Sequence, residues 1–70
     1  MNIKTIQSYG SRTENEFEVY NDDIMLGYIV EDCRNNEFCA YAKIESDSDE
    51  FDSIYTTEDF EEAVSFIIGE

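Results

Sequence analysis

The pentapeptide "EFEVY" (16–20) alternates strictly, setting Phe17 and Val19 against Glu16, Glu18 and Tyr20, as a half-buried strand requires. "NDD" (21–23) follows with turn chemistry, because Asn and Asp tolerate left-handed backbone and bond locally. "IMLGYIV" (24–30) is apolar on both faces and is the strongest strand signal in the chain. Gly27 within it marks a bulge or a close approach by another element. "CRNNEF" predicts a hairpin turn at Asn35-Asn36, with Arg34 facing Glu37 across a two-residue loop and "FCAYAKI" (38–44) as the returning strand. That register sets Val30 beside Tyr41 and Tyr28 beside Lys43 on one face, and Ile29 beside Ala42 on the other.

The ends of the chain are less regular. "NIKTIQSY" is β-branched but alternates poorly, reading either as a short strand or as a lead-in to the loop "GSRTEN" (10–15). "ESDSDE" (45–50) buries nothing and reads as an acidic loop, after which "FDSIY" is a candidate short strand. In "TTEDFEEAVSFIIG" (56–69), Phe60, Ala63, Val64, Ile67 and Ile68 recur at helical spacing, and Gly69 stands at the position of a C-terminal stop. Thr56 or Thr57 is the expected cap, and Glu58, Asp59, Glu61 and Glu62 crowd the positive end of the helix dipole. The expectation is a single α+β domain over residues 1–70: an antiparallel sheet of three to four strands with one C-terminal helix packed on one face.

With 70 residues, 41% of them hydrophobic, and five Phe and five Tyr, the chain has enough apolar side chain for one small core. No apolar run approaches the ~18 residues of a membrane span, and no secretory leader pattern opens the chain. The expected setting is therefore cytoplasmic. Eighteen acids against Lys4, Arg12, Arg34 and Lys43 leave a net charge of −14. That balance excludes direct binding to nucleic acid or to an anionic membrane, both of which depend on clustered Lys and Arg.

Catalysis finds little support. There is no histidine, no Ser or Cys stands in a context that names a base, and two carboxylates alone need a cleft that a single sheet with one helix rarely provides. "DSDEFDSIYTTE" places Asp47, Asp49 and Glu58 at the first, third and twelfth positions of a calcium loop. Phe51 and Asp52 break the fifth and sixth, so no metal site or other cofactor is expected. Cys33 and Cys39 flank the turn and are expected to be free thiols rather than a disulfide.

Charge is then the strongest functional signal. Nine of the eighteen carboxylates fall between residues 45 and 62, and Glu14, Glu16 and Glu18 form a second group. Gathering like charge costs stability through self-repulsion, which solubility alone does not require. In size, charge and tyrosine content the whole chain resembles the small acidic inhibitors of bacteriophages, the DNA-mimic anti-restriction and anti-CRISPR proteins. The resemblance implies a protein that plugs the basic nucleic-acid-binding groove of a host defence nuclease. On that basis the expected partner-binding residues are Asp47, Asp49, Glu50, Asp52, Glu58, Asp59, Glu61 and Glu62 as phosphate substitutes, joined by Tyr55, Glu16, Glu18 and Tyr20. The competing expectation is an acidic interaction domain that binds through its open sheet face, with Tyr28, Val30 and Tyr41 at the centre.

Overall fold

In the computed structural model, which describes residues 2–43 and 50–69, five strands form one antiparallel sheet in sequence order. They are β1 (Ile3–Gly10), β2 (Glu14–Asn21), β3 (Ile24–Asp32), β4 (Glu37–Ala42) and β5 (Ser53–Thr57), followed by helix α1 (Phe60–Ile68). The α+β class and the single C-terminal helix hold. The strand number is five rather than three to four, because the irregular N-terminal segment and the stretch before the helix both join the sheet as its two edges.

Side-chain alternation divides the sheet into two faces. Phe17 and Val19 of β2, Ile29 of β3, and Ala40 and Ala42 of β4 point to the side covered by α1, where Ala63 and Ile67 complete the core. The small β4 alanines let the helix lie close. Phe60 meets Phe17 and Phe38 edge to face at 5.2 and 5.4 Å, which anchors the start of the helix. Gly27 does both things expected of it. The β2–β3 register slips between Val19 and Tyr20, leaving Leu26 as the extra residue of a bulge, and Gly27 lies under Ile67.

Two details depart from the expected local structure. The β3–β4 loop holds four residues, Cys33 to Asn36, rather than two, so Asp32 pairs with Glu37, Val30 with Cys39, Ile29 with Ala40 and Tyr28 with Tyr41. The cause is Asp32. Its carboxylate accepts from the backbone N–H of Arg34 at 3.0 Å and from Asn35 Nδ2 at 2.7 Å, so that β3 enters the turn two residues earlier, while Asn36 takes the left-handed conformation at φ 55°. The second departure is the helix cap, which is Asp59 rather than Thr56 or Thr57. Asp59 accepts from the N–H of Glu61 at 2.9 Å, while Thr57, still in β5, accepts from the N–H of Asp59 and donates to Glu62. Gly69 ends the helix as expected, at φ 84° with its N–H donating to the Ser65 carbonyl.

Candidate functional site

The helix covers one face of the sheet and leaves the other open. Strand pairing writes that open face as rows: Ile6–Glu18–Tyr28–Tyr41–Ile54, then Tyr9–Glu16–Val30–Cys39–Thr56, then Glu14–Asp32–Glu37. Glu16, Glu18 and Tyr20 sit on it together, as their alternation in the sequence implies. Tyr28, Val30 and Tyr41 share it too, with Tyr28 and Tyr41 stacked at 4.6 Å.

Five carboxylates therefore stand on one surface in two crossing lines. Glu14, Glu16 and Glu18 run along β2, every second residue, at roughly 6.8 Å spacing for an antiparallel strand. Glu14, Asp32 and Glu37 run across three strands at roughly 4.8 Å spacing. The ion pairing between described residues comes down to Arg34 Nε at 3.6 Å from Asp32 Oδ1, with the arginine side chain largely in solvent. A pair so exposed neutralises little. The turn amide of Arg34 lowers the Asp32 carboxyl from its ordinary value, with further help from Asn35 and the Arg34 charge.

The tyrosines are tied into this array. Tyr20 donates to Glu18 Oε1 at 2.9 Å, and that bond to a carboxylate raises the phenol above its usual value. Tyr41 is pushed up to about 12, first by its hydrogen bond with the Cys39 side chain, then by burial and by the neighbouring negative charge of Cys39, Tyr28 and Glu14. Both cysteines are free, with Cys39 on the open face and Cys33 in the turn.

Among the other expected site residues, Tyr55, Asp59, Glu61 and Glu62 belong to the helix and its side of the sheet rather than to this surface. Asp47 and Asp49 lie outside the described residues, as does most of the acidic loop. The carboxylates at 50–62 do not form one contiguous patch, because β5 stands between the loop and the helix. It separates Glu50 and Asp52 from Glu58, Asp59, Glu61 and Glu62 by a strand of five residues, roughly 17 Å of extended chain. Glu50 is exposed and is raised by its hydrogen bond to Asp52, whose charge also opposes ionisation. Asp59 and Glu62 are engaged in capping the helix and joining it to β5. Tyr55 faces the helix side, stacked on Phe66 at 5.1 Å, so it cannot act together with Glu16 and Tyr20.

Three carboxylates of this array, Glu14, Asp32 and Glu37, were not among the expected partner-binding residues. Glu14 continues the alternation of β2 and was accessible to that rule, whereas Asp32 and Glu37 meet only through the four-residue turn. Among the described residues no group of three or more His, Cys, Asp or Glu is arranged to hold a metal, and no helix is long and apolar enough to cross a membrane. A groove of about 350 Å³ lined by Ile24, Met25, Leu26, Lys43 and Ile67 lies at the opposite end of the sheet from the Glu14–Asp32–Glu37 row. Comparison with protein-family models, with curated proteins and with solved structures returned no match.

Proposed function

We propose that this chain is an acidic binding protein that occupies the basic nucleic-acid-binding groove of another protein, and so inhibits it by standing in for a phosphate backbone. The observation that carries the reading is the crossed carboxylate array of the open face, Glu14–Glu16–Glu18 against Glu14–Asp32–Glu37. The body is 33 Å long, a length of duplex DNA that bears roughly 19 phosphates at one charge per ~1.7 Å, and the array sets five of the chain's 18 carboxylates on one face. Such an array attracts a basic groove over a distance and raises association rates, while repelling nucleic acid itself. A host defence nuclease, of the CRISPR or restriction type, in the bacterial cytoplasm is the target class that fits this charge and the resemblance to phage inhibitors. No catalytic step is assigned to the chain.

The test is a pull-down from bacterial lysate with the tagged protein, repeated with excess duplex DNA and at raised salt. Capture of a nucleic-acid enzyme that both DNA and salt displace supports mimicry. A captured partner indifferent to both overturns it. That second outcome would favour an accessory domain binding through apolar contacts, for which the exposed Ile6 and Ile54 at the two ends of the Glu18–Tyr28–Tyr41 row are the relevant observation.

A further inference from the structure

The open face carries aromatic rings in register with its carboxylates. Glu18 is the β2 partner of Tyr28, and Tyr28 is the β3 partner of Tyr41. The two tyrosine rings stack with their planes 14° apart, and Phe51 closes on Tyr28 edge to face at 5.4 Å. Two of the four basic side chains of the protein already rest on rings of this face. Lys43 Nζ lies 5.5 Å from the centroid of Phe51, and Lys4 Nζ lies 5.8 Å from that of Tyr20. In the second case the same ring donates its hydroxyl hydrogen to Glu18. Cation, ring and carboxylate are thus joined in one contact made by the chain with itself.

The chemistry of that contact selects its occupant. A ring face attracts a cation within ~6 Å of its centroid, and an adjacent carboxylate adds direct Coulomb attraction. A guanidinium suits both elements better than an ammonium does. It is planar, weakly hydrated and able to stack on a ring while its N–H fork meets a carboxylate. Charge removes the competitors: nucleic acid, an anionic membrane and a second copy of a chain at −14 are all repelled.

We infer that the Glu18–Tyr28–Tyr41 row, with Glu16 alongside, receives arginine side chains from a basic polypeptide segment of the partner. This rests on the basic-groove reading above and deepens it, naming the surface and the side chain recognised. The carboxylates supply attraction at a distance, and the rings discriminate arginine from lysine on contact.

The test titrates the full chain with a short oligoarginine peptide and with an oligolysine of equal length at low ionic strength, followed by calorimetry. Three proteins are compared: wild type, Glu16→Gln/Glu18→Gln, and Asp22→Asn/Asp23→Asn. The last removes equal charge from the β2–β3 turn, with Asn able to keep the left-handed conformation of residue 22. Oligoarginine is expected to bind several-fold more tightly than oligolysine, with the Glu16/Glu18 variant weakened roughly tenfold and the Asp22/Asp23 variant about twofold. Tyr28→Leu and Tyr41→Leu should each erase the preference for arginine while leaving the weaker oligolysine binding in place. Equal weakening by the two charge-matched pairs, or equal affinity for the two peptides, overturns the assigned row yet leaves the basic-groove reading standing. Failure of both peptides to bind at low salt removes both.

Discussion

Ile67 Cγ2 lies 2.9 Å from where a β-carbon would stand on Gly27, and the Tyr41 carbonyl oxygen lies closer still. The glycine is thus what lets α1 rest on the β3 bulge. Ile67 could turn aside, but the Tyr41 oxygen belongs to the paired backbone of β4 and cannot move without loosening the sheet. Gly27→Ala should destabilise the fold by about 2–3 kcal/mol. Chemical denaturation checks this, and a loss below about 0.5 kcal/mol would show that the helix has room to shift. Because Tyr41 lies on the open face, binding should weaken together with stability.

The cap separates two roles for acidic side chains at the helix start. Asp59 accepts from the Glu61 amide, a geometry that asparagine can reproduce and alanine cannot. Asp59→Ala should cost about 1 kcal/mol and Asp59→Asn much less. In a domain of this size, 1 kcal/mol moves the thermal midpoint by roughly 4–8 °C. If the two variants melt together, charge at the helix dipole rather than the hydrogen bond is what Asp59 contributes.

Tyr41 makes the face sensitive to alkali. Its folded value of about 12 lies above the ordinary 10.0, so the folded state holds that proton more tightly than the unfolded state does. The associated stability is fully present below pH ~10 and is lost as pH rises toward about 12. Tyrosinate absorbance should show one phenol titrating near that upper value. Tyr41→Phe should remove it, and Cys39→Ala should bring it back toward 10. Persistence of that late fraction in Tyr41→Phe would assign it to another tyrosine, with Tyr20, also raised, the first candidate.

How far the chain disclosed its own structure depends on which positions the helix covers. Phe17 and Val19 had to alternate with Glu16 and Glu18 because one side of β2 is buried and the other wet, so that strand and its acidic face were legible. No such pressure acts on β1, an edge strand almost wholly exposed, and Ile3, Lys4, Thr5 and Ile6 show no alternation to read. At the other edge, Thr56 and Thr57 suit both a strand end and a helix cap. Local preference did not decide between them, and pairing with Cys39 and Phe38 did. The β3–β4 register differed from expectation by two residues. An even shift preserves the faces, so Tyr28, Val30 and Tyr41 were grouped correctly while the Tyr28–Tyr41 stack was missed. The same features governed the site: β5, only a candidate strand in the sequence, parts the acids of 50–62, and the extra turn residues hid the meeting of Asp32 with Glu37.

If the carboxylate array serves binding, it should weigh on folding. At ~0.01 M salt the screening length is ~30 Å, comparable with the 33 Å body, so every carboxylate repels every other. At ~0.1 M it falls to ~10 Å and repulsion becomes local. The thermal midpoint should therefore rise by several degrees between these conditions, the reverse of a fold held by surface ion pairs. Glu16→Gln/Glu18→Gln should melt higher than wild type at low salt, and the gap should narrow as salt is added, even though the same change weakens binding. A variant stabilised in its fold and impaired in its partner contact is what a site kept for function at the expense of stability produces. A variant that melts lower at low salt would mean that Glu16 and Glu18 hold the sheet together, through contacts such as the Tyr20–Glu18 hydrogen bond, and would shift their importance from recognition to structure.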